Sequence, residues 1–385
     1  MSTVDLLALG LLPLIFFMPF PIFATEDTVP NSAVEMLKGT ADSRFKRATE
    51  PIIFQFPKDH GAHPEYKTEW WYYTGNLSAD DGKQYGYQLT FFRSALAPDT
   101  VSTGPLAERS TLAANQMYMA HFAVSDIERK KFQSFERYSR GAAGLAGAMG
   151  GKPQYQVWLE DWSATEQPDG TVHLKATDNQ LNPTLSMDLK LRQTIPPILH
   201  GNQGLSQKGP ELGNANHYYS LVGLESTGTV KIGGQSVDVK GVSWMDHEFG
   251  TSALSDGIVG WDWFSIQLEN GTILMLARLR YQDGSDWPSF EGTLAEIGQT
   301  PVKIQRADFN IKETASWKSP KSGSIYPSGW IIQLDRFGLI LKIQPLLKDQ
   351  ELNGNFTYWE GAVQVKGTFR NQTTSGAGYV ELTGY

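Results

Sequence analysis

The sequence predicts an all-β protein built from closed antiparallel barrels, and three observations lead to this fold class. Short runs of aromatic and β-branched residues recur between turn-forming residues along most of the chain. The composition of 38 Gly, 20 Pro and 12% aromatic residues fits many strands joined by tight turns. No long amphipathic helical pattern is present. Closed barrels are expected because they hide the edges that so many strands would otherwise expose.

Composition also limits the classes of protein to which this chain can belong. At 385 residues it has room for two domains or for one large β domain. Its net charge of −8, with no Lys/Arg cluster that stands out, argues against a nucleic-acid partner. The absence of Cys excludes disulfides, thiol catalysis and Cys-based metal sites.

The first part of the chain has the features of an export signal. Residues 6–24 are almost wholly apolar, and the tripeptide IFA before Thr25 resembles a signal-peptidase site. We therefore expect residues 1–24 to be a signal peptide cleaved after Ala24, and the protein to be periplasmic or secreted. Three prolines argue against a straight spanning helix, although an uncleaved anchor stays open as the alternative.

The remaining chain divides by composition. Residues 25–50 are polar and mixed, which predicts a flexible N-terminal segment. Strand-like patterns fill 51–195 and 214–385, which we expect to be two β domains. The intervening stretch, 196–213, is rich in Pro and Gly and is interpreted as a linker.

The run EWWYYTGNL at residues 69–77 is the most informative local pattern. Alternate side chains of a strand point to opposite faces, so Trp71 and Tyr73 should share one face and Trp70 and Tyr72 the other. A strand with aromatic residues on both faces is either sandwiched or forms the wall of a barrel around an apolar cavity. Trp70, Trp71 and Tyr73 are therefore candidates for binding an apolar substrate.

A second run, WDWFSIQL at residues 261–268, repeats this pattern. When the two runs are aligned, Trp70 falls on Trp261 and Tyr72 on Trp263, and each run is followed by a turn and another strand-like stretch. We interpret the repeat as two similar β-units, with chance coincidence among 11 Trp as the alternative. Trp261 and Trp263 are accordingly further candidates for substrate binding.

The segment SWMDHEFG at residues 243–250 places ionisable groups between aromatic residues. If Asp246 faces a dry cavity, burial should raise its pKa and keep it protonated as an acid. His247 follows directly and should point to the opposite face of the strand. The alternative interpretation is a strand end at which Asp and His cap a turn.

Histidines supply the other candidates. His217 and Tyr219 should share one face of a strand. His121 stands alone among apolar residues, where a hydrogen-bonded core histidine is the favoured reading. The segment DHGAHPE at residues 59–65 has metal-ligand residue types, but its spacing matches no specific zinc pattern and a solvated loop is favoured.

Eight motifs, in order, carry a resemblance to a known family. They are DHGAHPEYKTEWWYYTGNL (59–77), YGYQLTFFR (85–93), AHFAVSD (120–126), HYYS (217–220), GVSWMDHEFG (241–250), WDWFSIQLENG (261–271), YWEGAV (358–363) and GYVELTGY (378–385). Together they resemble the carotenoid 1,2-hydratases and the AttH-like predicted secreted hydrolases, from about residue 54 to the C-terminus. The resemblance implies two lipocalin-like, calycin-type antiparallel β-barrel domains with a ligand cavity near their interface.

The resemblance also implies roles for individual residues. The family's acid corresponds to Asp246, and its His-x-aromatic motif corresponds to His217 and Tyr219. The aromatic residue two positions before the acid corresponds to Trp244. The hydratases have Trp in place of Tyr219 and Tyr in place of Trp244, which favours the exported branch acting on another apolar molecule. The expected substrate-binding residues are Trp70, Trp71, Tyr73, His121, Trp261 and Trp263.

The reaction implied is the addition of water to a carbon–carbon double bond of an isoprenoid or polyene. Asp246 would deliver the proton, nearby aromatic faces would stabilise the cation, and His217 would orient the acid or accept a proton from water. This chemistry requires no metal and no organic cofactor, and the substrate could be drawn from a nearby membrane. A non-catalytic carrier of an apolar ligand and a secreted hydrolase are the two alternatives.

Overall fold

The computed structural model describes residues 42–98, 115–151, 155–178, 184–251, 254–288 and 291–385. The expected signal peptide and residues 25–41 of the expected flexible segment lie outside this part of the chain. The helical elements of the described residues are short 3-10 turns at Lys58–His60, Arg306–Asp308 and Asp335–Phe337. No helix among these residues is long and apolar enough to cross a membrane.

The described residues form three antiparallel sheets. The first has 13 strands, which are β1 (Thr68–Ala79), β2 (Gln84–Ala95), β3 (Gln116–Asp126), β4 (Lys131–Arg140), β5 (Ala146–Met149), β6 (Gln156–Leu159), β7 (Trp162–Glu166), β8 (Val172–Thr177), β9 (Leu185–Arg192), β10 (Ile198–Leu199), β11 (Leu205–Gln207), β12 (Ala215–Ile232) and β13 (Gln235–Gly250). The second has 10 strands, which are β14 (Ile258–Leu268), β15 (Thr272–Tyr281), β16 (Glu291–Glu296), β17 (Val302–Gln305), β18 (Asn310–Glu313), β21 (Trp330–Leu334), β22 (Leu339–Pro345), β23 (Glu351–Asn353), β24 (Thr357–Phe369) and β25 (Gln372–Leu382). A small third sheet pairs β19 (Ser316–Lys318) with β20 (Ile325–Pro327).

The two large sheets repeat one strand order. The first runs β4-β3-β2-β1-β13-β12-β9-β8-β7-β6-β5, and the second runs β17-β16-β15-β14-β25-β24-β22-β21-β18. In each, a meander of four strands is followed by two long strands from the end of the same unit, so β1 corresponds to β14 and β13 to β25. The first sheet closes into a near-complete barrel and the second into a half-barrel, which confirms the all-β, lipocalin-like prediction.

Contacts between the two sheets repeat in the same way. The side-chain amide of Asn76 on β1 donates a hydrogen bond of 3.0 Å to the backbone oxygen of Gly378 on β25. The side-chain amide of Gln267 on β14 donates one of 3.3 Å to the backbone oxygen of Ser243 on β13. Asn76 and Gln267 are aligned by the sequence repeat, so the sheets face each other through equivalent strands.

Strand pleating divides the aromatic run of β1 between two cores, as predicted. Trp71 and Tyr73 are buried inside the first barrel among its inward-facing residues. Tyr72 belongs to the core that contains the second sheet, and Trp70 packs against that core. The run is aromatic on both faces because β1 lies between two apolar interiors.

The expected domain boundary does not match the strand pairing. β12 and β13, which lie after the expected linker, pair with each other and with β9 and β1 of the first sheet. The linker itself contains β10 and β11, which pair with β12. The change of sheet follows β13 instead. The stretch rich in Pro and Gly forms turns inside one sheet. Such a composition indicates where the chain turns, but it does not indicate which strands pair with each other.

The described end of the expected flexible segment is packed. Phe45 and Ala48 are 5% and 1% exposed. Arg47 donates a hydrogen bond of 3.2 Å to the side chain of Asn214. These contacts anchor part of residues 42–50 to the barrel, which corrects the prediction for this part.

Candidate active site

An aromatic cavity lies between the two large sheets, where β1 and β13 meet β14 and β25. Its volume is about 100 Å³, the same order as the ~150 Å³ of an engineered apolar cavity that binds benzene. Its aromatic lining residues are Trp70, Tyr72, Phe92, Trp261, Trp263, Phe356 and Tyr358. Its polar lining residues are His121, Lys208, Asn216, Asp246, Glu248 and Glu381. The space fits one small ring or the branched end of a longer apolar chain.

Asp246 is one of two carboxyls, with Glu248, that the first sheet presents to this cavity. The indole Nε1 of Trp244 donates a hydrogen bond of 2.7 Å to its Oδ1, and the hydroxyl of Tyr218 donates one of 2.9 Å to its Oδ2. The hydroxyl of Ser220 also donates to Oδ1. Both carboxyl oxygens therefore accept hydrogen bonds, an arrangement that favours the charged form.

Thr293, His200 and Ser220 form a hydrogen-bonded chain that ends on Asp246. Because the single hydroxyl hydrogen of Ser220 goes to Asp246, the Nε2 of His200 must donate to Ser220, across 2.6 Å. The Nδ1 of His200 then accepts from the hydroxyl of Thr293, at 2.8 Å. Burial lowers the pKa of His200 to about 3, so the ring is neutral. The chain orients Ser220 and supplies no charge to Asp246.

Burial dominates the protonation of Asp246. Its exposed fraction is 4%, and no Lys, Arg or His of the described chain forms an ion pair with it. Burial raises the pKa of Asp246 to about 7, although hydrogen bonds from Ser220 and Trp244 oppose the rise. A carboxyl with this pKa can exchange a proton near neutral pH, as acid–base catalysis requires.

The sequence predictions missed two glutamates, Glu381 in the cavity lining and Glu360 opposite it on β24. Glu381 is half-buried and accepts a hydrogen bond of 3.1 Å from the indole Nε1 of Trp261. Glu360 is fully buried and accepts a hydrogen bond from the hydroxyl of Tyr72. Burial raises the pKa of Glu381 to about 8 and that of Glu360 well above its usual range. Their position among apolar residues, in YWEGAV and GYVELTGY, was the available signal.

A neutralised ion pair lies at another part of the lining. The ammonium of Lys208 is 3.2 Å from Oε2 of Glu248. The side-chain amide of Asn216 donates a hydrogen bond of 3.0 Å to the same oxygen. Glu248 therefore has a cationic partner, whereas Asp246 has none among the described residues. The two carboxyls of β13 thus differ in whether a positive charge stabilises their ionised form.

Four of the six predicted substrate-binding residues line the cavity, namely Trp70, His121, Trp261 and Trp263. Trp244 lies beside it and contacts Asp246 directly. His121 is hydrogen-bonded on both ring nitrogens, to Tyr358 at 2.6 Å and to Glu136 at 3.1 Å. The favoured reading of a satisfied core histidine agrees with these contacts, and the residue also borders the cavity.

The remaining predicted residues lie on the opposite face of the first sheet from Asp246, namely His217, Tyr219, Trp71 and Tyr73. Side chains alternate along β12, so Tyr218 faces Asp246 while its neighbours on each side face away. Tyr219 instead bonds the Nδ1 of His247, at 2.8 Å. The expectation that His217 orients Asp246 is therefore wrong, because the two side chains are separated by the sheet.

The opposite face carries a buried ion-pair network centred on Glu69. Its carboxylate is bonded by the Nε of Arg93, the Nδ1 of His63 and the Nε2 of His247, each at 2.8 Å. His63, Glu69 and His247 also have metal-ligand residue types within 4.8 Å of one another. Arg93 and a protonated His63 already neutralise the carboxylate, so we interpret the group as an ion-pair network.

Titration of His63 should affect stability in a defined pH range. Burial alone would lower the pKa of His63, but the charge of Glu69 and the contact with Asp59 raise it to about 9. A raised histidine pKa stabilises the fold fully below about pH 6.5, and this stabilisation is lost as the pH rises to about 9. We expect wild type to lose on the order of 2 kcal/mol more than His63→Gln across this range.

Chemical denaturation at a series of pH values, with both proteins side by side, measures that difference directly. The comparison between the two proteins removes the contribution of Asp246 and Glu381, which titrate in the same range and are unchanged. Parallel curves for wild type and the variant would show that His63 is neutral in the folded protein.

Comparisons with known proteins cover most of the chain. A family model described as AttH-like matches residues 47–385. Kievitone hydratase of Fusarium solani subsp. phaseoli is 24% identical over 221 residues, which are 56% of this chain and 61% of that protein. The chain thus spans less than two thirds of the length of that relative.

Solved structures match over a larger share of the chain. A crystal structure of an AttH protein from Nitrosomonas europaea is 30% identical and has a TM-score of 0.75, covering 87% of this chain and 99% of that one. Kievitone hydratase from Nectria haematococca has a TM-score of 0.64 at 14% identity, covering 90% of this chain and 97% of that one. At that identity the second match supports the fold alone.

Proposed function

The chain belongs to the AttH-like family, and from that premise we propose that it is a hydratase-type lyase. It adds water across a carbon–carbon double bond of an apolar substrate held in the cavity between the two sheets. The observation that carries the proposal is the carboxyl of Asp246, which faces a cavity with seven aromatic lining residues and has no cationic partner among the described residues. The hydratase among the relatives supports the reaction class.

The cavity lining suits the chemistry of alkene hydration. Protonation of a trisubstituted alkene at its less substituted carbon gives a tertiary cation, which an aromatic face stabilises by about 0.5–2 kcal/mol. Trp261 and Trp263 both border the same space as Asp246. An aromatic wall without free cations therefore favours a positively charged intermediate next to a proton-transfer carboxyl.

The proposed substrate class is an isoprenoid or polyene. A volume of about 100 Å³ accommodates the branched end of such a chain and excludes most of its length. Apolar substrates of this kind partition into membranes, and the apolar leader at residues 6–24 supports export to a compartment where they are found. The resemblance to carotenoid hydratases supports the isoprenoid class and leaves the particular molecule open.

The reaction can be tested with isotopically labelled water. We expect the purified protein, incubated with geranylacetone, squalene or lycopene in detergent and water enriched in ¹⁸O, to yield a tertiary alcohol heavier by one labelled water. Mass spectrometry of the extract detects that product. Probes that bind, as measured by quenching of Trp fluorescence, but are all recovered unchanged would favour the non-catalytic carrier.

A further inference from the structure

Asp246 and Glu381 occupy equivalent positions in the two repeated units. Asp246 on β13 lies opposite Tyr72 on β1, and Glu381 on β25 lies opposite Trp263 on β14. The sequence repeat aligns the same two aromatic residues with each other. The reciprocal amide contacts between the sheets follow this register as well. Each unit therefore contributes a carboxyl from this equivalent position to a shared cavity, and the sequence predictions had assigned a role to the first alone.

The two carboxyls differ in what surrounds them. Asp246 accepts hydrogen bonds from three donors, and the chain through His200 holds one of them in place. The hydroxyl of Tyr218 is itself within 3.3 Å of the indole nitrogen of Trp263, which can only donate. The hydrogen of Tyr218 therefore points to Asp246. With both oxygens acting as acceptors, Asp246 is built to carry the negative charge.

Glu381 has the opposite surroundings. The indole of Trp261 is its one hydrogen-bond donor among the described residues. Glu360 lies directly across from it on β24, and the Oε2 of Glu360 is buried without a hydrogen-bond partner. Two carboxyls on directly opposed strand positions, one fully buried and one half-buried, cannot both ionise at low cost. At least one proton therefore stays on the pair formed by Glu381 and Glu360.

The other charged and titratable groups around Glu381 agree with this distribution. They are Glu360 and Tyr358 on β24, Asp246 and Glu248 on β13, Tyr72 on β1 and Lys208 before β12. Lys208 is the cation of this set, and it is paired with Glu248. Burial also raises the pKa of both carboxyls, that of Glu381 to about 8 and that of Asp246 to about 7.

We propose that Glu381 is the general acid of this site and that Asp246 is the base that activates water. This inference rests on the hydratase function proposed above and deepens it, since the sequence assigned the acid role to Asp246. The repeat thus supplies an acid and a base from equivalent positions, and the hydrogen bonds decide which is which.

The proposed step balances without any added reagent. Glu381 gives its proton to the less substituted alkene carbon, whose π electrons form the new C–H bond and leave a tertiary cation. A water oxygen then bonds to the cation while Asp246 accepts one of the water protons, which yields a tertiary alcohol. The net change is the addition of one water, after which the proton on Asp246 exchanges through cavity water to restore Glu381.

Infrared spectroscopy tests the resting proton without any substrate. A protonated carboxyl has a C=O stretching band distinct from that of a carboxylate, so the two acids can be separated by variants. At about pH 8, Glu381→Gln and the control Glu360→Gln should each remove intensity from the protonated band, while Asp246→Asn should remove much less. Loss of a band in Asp246→Asn with no change in Glu381→Gln would overturn the assignment.

Deuterium incorporation tests the roles during reaction. With geranylacetone in D₂O, Glu381→Gln should lose both alcohol formation and deuterium incorporation by about 100-fold or more. Asp246→Asn should lose alcohol formation but return alkene that carries deuterium, because reversible protonation does not need the base. The reverse pattern would make Asp246 the acid. Thermal unfolding of each variant, with the exposed Asp238→Asn on the same strand as control, confirms that the fold is retained.

The two measurements separate this inference from the function on which it rests. If wild type forms neither alcohol nor deuterated alkene with any probe, the hydratase proposal fails while the infrared result still decides where the proton resides. If wild type hydrates a probe and the infrared bands follow Asp246, the function stands and the assignment of acid and base is wrong. If Glu381→Gln does not fold, the Asp246→Asn bands and products still give the answer.

Discussion

Replacing Arg93 with Met is expected to lower the free energy of unfolding by about 3–5 kcal/mol, as removal of one partner from a buried ion pair does. The guanidinium of Arg93 is 2% exposed, and its Nε bonds the carboxylate of Glu69 at 2.8 Å. It also bonds Gln116 and the backbone oxygens of His63 and Tyr66. Without it, Glu69 would be a buried charge with two histidines as its remaining partners.

Chemical denaturation monitored by Trp fluorescence measures this loss. The matched control is Arg192→Met, which removes the exposed pair between Arg192 and Glu225, with side chains 65% and 58% exposed. Exposed pairs contribute about 0–1 kcal/mol, so the control should stay close to wild type. Equal losses for the two variants would mean that burial of Glu69 does not set the cost.

Replacing Asp246 with Asn is expected to reduce kcat for hydration by about 10²–10⁴-fold, the usual contribution of a positioned acid or base. Asn has the same shape and can still accept hydrogen bonds from Trp244 and Ser220 on its oxygen. Its amide nitrogen can donate to the hydroxyl of Tyr218. Substrate affinity should therefore change little, because the aromatic lining is unaltered.

Steady-state kinetics over a pH series measures both the loss and its cause. A base with a pKa of about 7 is protonated below that pH, so kcat/KM of wild type should fall as the pH decreases through about 7. An acid with a pKa of about 8 loses its proton above that pH, so the rate should also fall as the pH increases through about 8. Asp238→Asn, exposed on the same strand, is the control. An Asp246→Asn rate within tenfold of wild type would exclude a catalytic role.

Much of the fold could be predicted because its signals are local. Runs such as 84–93 and 117–125 alternate or concentrate aromatic and β-branched residues, and β2 and β3 follow them closely. The aromatic repeat correctly identified β1 and β14 as equivalent strands of the two units, since the strand order around them is the same. The prediction of a linker over 196–213 was wrong, because the pairing of β12 with β9 and β13 depends on residues that are not adjacent in sequence.

The site was only partly predictable for a related reason. Asp246 and three of the aromatic lining residues, Trp70, Trp261 and Trp263, were found because each stands in an unusual local sequence. His217 and Tyr219 were assigned to the cavity by resemblance, but alternation along β12 places Tyr218 and Ser220 there. Glu381 belongs to a strand at the end of the chain, and no local pattern links it to Asp246.

The sequence by itself determined the fold class, the internal repeat and the family, because periodicity, turn chemistry and motif order are properties of the chain. It also determined that Asp246 and His247 point to opposite faces, since side chains alternate along any strand. Only the tertiary structure decided which face meets the second sheet, and therefore that Asp246 shares a cavity with Glu381. Packing of two sheets is a non-local choice: it sets which carboxyls are desolvated and which donors reach them, and these determine where the proton resides.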